Sequence, residues 1–385
     1  GKSYKQFTLK VGNEIALTPA MGWNSWNCWG LSVSDEKVKS SAQAMIDKGL
    51  INHGWSYINI DDGWQDPKRT ANGAIMANSK FPDMHALGNF LHSNGLKFGI
   101  YSSPGPKTCG GFLGSYRHVL QDAKSYEKWG VDYLKYDWCS YSEVVGDAQD
   151  LPTLQKPYIE MRTALDSLNR DIYYSLCQYG WGDVWKWGHQ VGGNSWRTTG
   201  DITDNWNSLY NIGFSQNKEA AYGHTGGWND PDMLIVGKVG WGADLHPTGL
   251  SPDEQYTHIS LWCLLSAPLL IGCDLSKLDK FTLNLLTNDD VIAVDQDELG
   301  QSAKRMIIDD SVQVWVKNLA NGSKAIGIFN TSETYKKYFL KWRNISLNNT
   351  SYKVRDLWRQ KDDGIKMEGV NCELPGHGVF LIRVQ

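Results

Sequence analysis

The stretch that decides the fold is GVDYLKYDWCSY, Gly130–Tyr141. It reads as a short strand, yet a lysine and an aspartate stand two residues apart at its centre. In an extended chain residues i and i+2 share a face. Lys135, Asp137 and Cys139 therefore share one face, and Leu134, Tyr136 and Trp138 the other. Charged side chains are rarely buried unless paired, so the strand must hold its carboxylate where something meets it.

The neighbouring sequence repeats the theme. Strand-like runs occur at PAMGWNSW (19–26), YINIDD (57–62), KFGIYSS (97–103), YLKYDW (133–138), IYYSLCQ (172–178), SWRTTGD (195–201), WNDPDML (228–234) and PLLIGCD (268–274). Amphipathic stretches lie between them. Val38, Ala42, Met45, Ile46 and Leu50 recur at helical spacing, with Ser34 as N-cap and Asp35 and Glu36 in the first turn. Met84, Leu87, Phe90 and Leu91 recur likewise before Asn94-Gly95, Val119, Ala123 and Tyr126 lead to a stop at Gly130, and Tyr158, Met161, Leu165 and Leu168 form a fourth stripe. Eight strands, each followed by a helix, predict a (β/α)8 barrel, whose active site lies at the C-terminal ends of the strands.

Polar residues collect at those ends. The second strand ends in Asp61-Asp62, the fourth in Asp137-Trp138, the fifth in Cys177-Gln178 and the sixth in Asp201, while the seventh carries Asp230 and Asp232. After about Asp297 the pattern changes. SVQVWVKN, KAIGIFN, YFLKW, YKVRDLW and GVFLIRV alternate apolar and polar residues between turns, with no helical stripe. The expected organisation is a barrel over residues 1–297, with a short N-terminal extension, and an antiparallel β-sandwich domain over 298–385.

Composition narrows the partners. A net charge of −4 gives no sign of nucleic acid or an anionic membrane surface. No apolar run reaches the roughly 18 residues of a membrane span. Eighteen Trp and eighteen Tyr exceed what a core of this size needs; their flat apolar faces and polar edges suit sugars, and also suit dense core packing. Seven cysteines form no closely spaced zinc-like pairs, and the odd number leaves at least one thiol free. Nothing points for or against an oligomer.

Asp137 and Asp201 are the candidate catalytic pair. They end strands four and six, next-but-one neighbours around a barrel, so they can face each other across its mouth. Glycoside hydrolysis needs two such carboxyl groups. Lys135 beside Asp137 is expected to favour its ionised form. Arg197, on the face of Thr199 and Asp201, is expected to position a substrate hydroxyl or hold a carboxylate. A structural Lys/Asp and Arg/Asp network is the plainer alternative. Asp61, Asp62 and Asp232 are also compatible with a divalent metal, which would make the protein a metal-dependent barrel lyase or isomerase; Asp62 capping a turn is the bland reading. His224, His246 and His258 are scattered and read as ordinary histidines.

TPAMGWNSWN, YINIDDGWQ, FGIYSSPGPKTCGG, YLKYDWC, SWRTTGDI and GGWNDPDML resemble, in order and spacing, the motifs of glycoside hydrolase family 27, the α-galactosidase and α-N-acetylgalactosaminidase (melibiase) family. The resemblance covers nearly the whole barrel and continues through SAPLLIGCDL and VIAVDQDELG. It implies a retaining exo-glycosidase acting on terminal α-linked galactose without metal or cofactor. It makes Asp137 the nucleophile and Asp201 the general acid/base. Asp61 and Asp62 would hold the 4- and 6-hydroxyls, with Trp26, Tyr101, Lys135, Cys177, Arg197 and Asp232 completing the sugar pocket. Cys109 and Cys139 match the family's disulfide, which implies an extracytoplasmic protein whose signal peptide has been removed.

The fifth-strand segment, CQYGWGDVW, departs from the pattern: Gln178 stands where many members have Glu. Trp181 falls near the position that sorts galactose from its 2-acetamido analogue, and its bulk favours galactose. Asp61 and Asp62 together argue against a β-L-arabinopyranosidase, whose substrate lacks the hydroxymethyl group. Asn321, Asn330, Asn344, Asn348 and Asn349 sit in N-x-Ser/Thr triplets, which are glycosylation acceptors in a eukaryotic secretory setting.

Overall fold

The computed structural model describes residues 15–147, 150–348 and 350–385. The expected N-terminal extension and Asn349 lie outside the described residues. Eight parallel strands form one sheet: Met21–Asn24, Tyr57–Asn59, Lys97–Ser102, Tyr133–Tyr136, Tyr173–Leu176, Ser195–Arg197, Trp228–Asp230 and Leu269–Ile271. The last pairs with the first, through Met21 to Leu269. The sheet curls shut on its other side through a parallel bridge between Leu234 and Ile271, where Leu234 N–H donates to Leu270 O at 2.8 Å and Gly272 N–H to Leu234 O at 2.9 Å.

The helices form where local chemistry starts and stops them. Ser34 accepts from Lys37 N–H and opens Asp35–Asp47, with Asp35 and Glu36 at the positive end of the helix dipole. Asp83 caps Met84–Ser93 and Asp150 caps Leu151–Asp166, and Gly130 ends Val119–Trp129 in the left-handed conformation. One unit departs from the expected alternation. Among the described residues no α-helix separates strands five and six; the connection holds only the 3-10 turn Val184–Lys186. Gly180, Gly182, Gly188, Gly192 and Gly193 interrupt that segment, and their backbone freedom favours a folded loop over a helix.

The opening strand behaves as its alternation requires. Leu134 and Tyr136 are fully buried on the outer side of the sheet, while Lys135 and Asp137 face the barrel mouth. Tyr57, Tyr133 and Tyr173 pack together at the other end, with ring centroids 4.8–6.0 Å apart. Tyr133 and Tyr173 are buried there and Tyr57 half-buried.

The C-terminal part carries more strands than the alternation suggested. A six-stranded antiparallel sheet faces the two-stranded sheet of Lys336–Lys341 and Gly369–Leu374. Lys304–Asp309, Lys361–Met367 and Gly369–Leu374 were not apparent as strands, because two of them are mainly exposed edge strands with weak apolar alternation. Helix Pro252–Leu265 is buried on almost every side, since the barrel covers one flank and strands Lys324–Asn330 and Val379–Val384 the other. Asn330 is fully buried, and its amide donates to Thr334 O at 2.7 Å and Pro375 O at 2.9 Å. It is therefore not an accessible glycan acceptor in the folded protein, unlike the expectation from its triplet.

Candidate active site

A cavity at the barrel mouth is lined by Trp26, Asn27, Asp61, Asp62, Tyr101, Cys109, Lys135, Asp137, Cys177, Tyr179, Arg197, Asp201, Asp232 and Met233. Strand ends two to seven thus converge as the barrel reading requires. A roomier groove, lined by Tyr116, Leu120, Tyr136 and Ile159, lies among the helices on the outer face; it is mostly apolar and has a single carboxylate, Glu160.

Asp137 is 4% exposed and tightly held. Its Oδ1 accepts from Trp138 N–H at 2.7 Å and from the Tyr179 hydroxyl at 2.8 Å, and its Oδ2 from the Tyr101 hydroxyl at 2.8 Å. Burial pushes the carboxyl above its usual range; Lys135, Trp138 N–H and the two tyrosines pull it back in part. Lys135 thus favours the ionised form of Asp137, as expected from the sequence. Its ammonium pairs directly with Asp61 Oδ2 at 2.7 Å, and its pull on Asp137 does not outweigh desolvation.

Among the described residues Asp62 has no cation partner. Its Oδ2 accepts from Gly110 N–H at 2.6 Å and its Oδ1 from Gly63 N–H at 2.8 Å. A Cβ at position 110 would sit 2.9 Å from Asp62 Oδ2 and 2.7 Å from Leu31 Cδ2, so a larger residue would have to displace one of them to bring its N–H this close. Burial raises Asp62 to about 6. The loop that supplies Gly110 is tied to the fourth strand by a disulfide between Cys109 and Cys139, with Cα atoms 5.1 Å apart. Cys28, Cys177, Cys263, Cys273 and Cys372 are free and buried.

Arg197 bridges two carboxylates, Asp232 Oδ1 and Asp201 Oδ1, each at 3.0 Å. Asp232 is a non-glycine residue at φ +87°, a costly conformation that the surroundings over-determine. Its N–H donates to Asp230 Oδ1, its Oδ2 accepts from Ile202 N–H, and its carbonyl accepts from the Trp262 indole, at 2.7–2.8 Å. Asp201 differs in being 62% exposed at its side chain. Burial raises its carboxyl, but Arg197, Lys135 and the Arg197 hydrogen bond outweigh that and hold it below the usual range.

Gln178 and Trp181 are placed apart from this lining. Gln178 is fully buried, accepting from Trp181 N–H at 2.7 Å and donating to Trp181 O at 2.9 Å. Trp181 packs its ring against Trp138 and Tyr179, at 5.9 Å from each. Tyr179, Asn27 and Met233 line the cavity and were not singled out in the sequence. Tyr179 follows a strand end, which is a signal, but its inward aim depends on a left-handed backbone that no pattern announces. Nor do Asp61, Asp62 and Asp232 form a metal cage. Among the described residues the only trio of His, Cys, Asp or Glu with ligand atoms within 4.8 Å of one another is Cys109, Asp137 and Cys139, and its two sulfurs are bonded to each other.

A parallel barrel whose mouth gathers paired carboxyl groups, a lysine, an arginine and aromatic walls has the architecture of a glycoside hydrolase. Residues 18–297 match the family model described as "Alpha galactosidase A", and residues 309–384 match "Alpha galactosidase C-terminal beta sandwich domain". The chain is 41% identical over 357 residues to alpha-galactosidase 2 of Arabidopsis thaliana, covering 92% of this chain and 86% of that one. It is 39% identical over 369 residues to the alpha-galactosidase of Cyamopsis tetragonoloba, covering 95% and 85%. The crystal structure of alpha-galactosidase I from Mortierella vinacea superposes with a TM-score of 0.91 at 34% identity, covering 97% of this chain and 98% of that one. The protein belongs to the α-galactosidase family, glycoside hydrolase family 27, and is a glycoside hydrolase. Among its described residues no helix is long and apolar enough to cross a membrane.

Proposed function

We propose that the protein releases terminal α-linked D-galactose from oligosaccharides or polysaccharide side chains with retention of configuration, Asp137 acting as nucleophile and Asp201 as general acid/base. The observation that carries this reading is the contrast between the two carboxyl groups in one cavity. Asp137 is immobilised by three donors, as a group that must attack along one line requires. Asp201 is solvent-accessible, as a group that must exchange protons with water requires.

In the first step Asp137 bonds to the anomeric carbon as the glycosidic C–O bond breaks, and Asp201 gives its proton to the departing oxygen. In the second, water bonds to the anomeric carbon, the electron pair returns to Asp137, and Asp201 takes the water proton. Held by Arg197, Asp201 is ionised, the form needed for the second step. A sugar hydroxyl that engages Arg197 weakens its hold on Asp201 and excludes water around it, and both effects raise the carboxyl toward the protonated form needed for the first step. Asp61, Asp62, Lys135 and Asp232 offer fixed acceptors and donors for the remaining hydroxyls, and Trp26 an apolar wall. No step calls for a metal or cofactor. The Cys109–Cys139 disulfide supports an extracytoplasmic location.

Asp137→Asn abolishes turnover of 4-nitrophenyl α-D-galactopyranoside with the fold intact, and proton NMR of the wild type detects α-galactose first. Wild-type rates in the variant, or β-galactose first, would refute the assignment. A panel with the 2-acetamido-2-deoxy-α-galactoside and the β-L-arabinopyranoside decides the sugar.

A further inference from the structure

We infer that Tyr179 is a positioning residue for the nucleophile: the loop Gln178–Trp181 is built to fix its hydroxyl on Asp137 Oδ1, leaving Oδ2 as the attacking atom. The inference rests on the assignment of Asp137 as nucleophile.

Three features of the loop converge on this hydroxyl. Gln178 clamps both the N–H and the carbonyl of Trp181, closing a four-residue loop with its side chain. Tyr179 and Gly180 both take left-handed backbone, at φ +66° and +87°. A Cβ at position 180 would lie 2.2 Å from Thr198 O, so the turn seats directly against the sixth strand and admits no other residue. A tyrosine keeps that costly conformation only where its surroundings over-determine it. The ring points to Asp137, with the hydroxyl 2.8 Å from Oδ1.

Oδ1 receives a second donor, Trp138 N–H, at 2.7 Å. Both lone-pair directions of Oδ1 are then filled, whereas among the described residues Oδ2 accepts only from Tyr101, which leaves one direction open to them. Burial, with Cys177 and Asp137 nearby, keeps the Tyr179 hydroxyl protonated, so it remains a donor throughout the working pH range. A donor to a carboxylate stabilises its ionised form. It also stabilises Asp137 as the leaving group when the glycosyl-enzyme is hydrolysed.

Tyr179→Phe removes the donor and keeps the ring. The acidic limb of kcat/KM on 4-nitrophenyl α-D-galactopyranoside reports the free enzyme's site carboxyls, Asp62 beside Asp137, and of these two Tyr179 donates to Asp137, so a change in the limb reads the nucleophile. In the variant that limb moves to higher pH by about half a unit or more, and kcat falls about tenfold, the scale of a hydrogen bond to a charged group. KM falls with it as the glycosyl-enzyme accumulates. Gln178→Ala, which loosens the loop and leaves the hydroxyl, moves the limb in the same direction by less. Trapping with 5-fluoro-α-D-galactosyl fluoride and peptide mass mapping places the label on Asp137 in both proteins. An acidic limb that stays put in Tyr179→Phe, with the label on Asp137, overturns the role of Tyr179 and leaves the nucleophile standing. A label on another residue overturns both.

Discussion

Replacing Cys109 and Cys139 together by serine tests how the loop that carries Gly110 is held. The disulfide spans 30 residues of sequence. In the chain-entropy account, closing a loop of that length removes about 12 cal/mol/K from the unfolded ensemble, or about 3.6 kcal/mol at 25 °C. The native loop keeps other ties. Ser140 Oγ accepts from Lys107 N–H at 2.8 Å and donates to Lys107 O at 2.7 Å, and Ser103 Oγ donates to Cys139 O at 2.6 Å. The fold therefore survives the substitution, and the stability loss falls mainly on the unfolded state. With an m-value of about 3 kcal/mol/M the urea midpoint, followed by tryptophan fluorescence, drops by about 1 M. The activity consequence is local. Cys109 adjoins Gly110, whose N–H is the 2.6 Å partner of Asp62. Loosening that contact raises KM several-fold if Asp62 binds substrate as proposed, and kcat falls as well, because both sulfurs also lie within 4.8 Å of an Asp137 oxygen. A urea midpoint unchanged by the double substitution, or a loss confined to kcat, would refute the reasoning.

Two further perturbations probe the buried charges. Asp230 is 5% exposed and raised by burial to about 6 from 3.8. Because its folded-state pKa lies above the unfolded one, the stability it contributes is whole below about pH 4 and is lost as pH rises through about 6. Asp230→Asn, which keeps an acceptor for Asp232 N–H, is therefore more stable than wild type at pH 8 by up to about 3 kcal/mol, with the gap closing between pH 6 and 4 in urea titrations; a gap independent of pH would refute this. Arg197→Met strips Asp232 of its partner at a site where the two side chains are 3% and 4% exposed. Breaking a buried pair in this way costs about 3–5 kcal/mol. A loss below about 1 kcal/mol, measured by urea unfolding at pH 7, would mean that the pair is solvated in solution.

The sequence alone determined the barrel, the β-rich C-terminal part and most of the polar rim. Period-two strands and period-3.6 helices follow from local backbone geometry, and the barrel rule turns strand ends into a mouth. Asp61, Asp62, Asp137, Asp201 and Asp232 were legible for that reason. Tertiary structure decided their pairing. Lys135 is adjacent to Asp137 in the chain's own alternation, yet its ammonium meets Asp61 on a neighbouring-but-one strand, because barrel closure sets cross-strand distances that no linear spacing encodes. The missing fifth helix has a trace in the sequence, its run of glycines, but the side-chain clamp of Gln178 and the inward aim of Tyr179 go with left-handed backbone at Tyr179 and Gly180, where the turn packs against Thr198. The same holds for ionisation. Burial, a property of the assembled barrel and not of the residue, raises Asp137, while an exposed side chain beside Arg197 leaves Asp201 low. Residue types and their order specify which groups the site contains; how much water each loses, and which neighbour it meets, exist only once the barrel has closed.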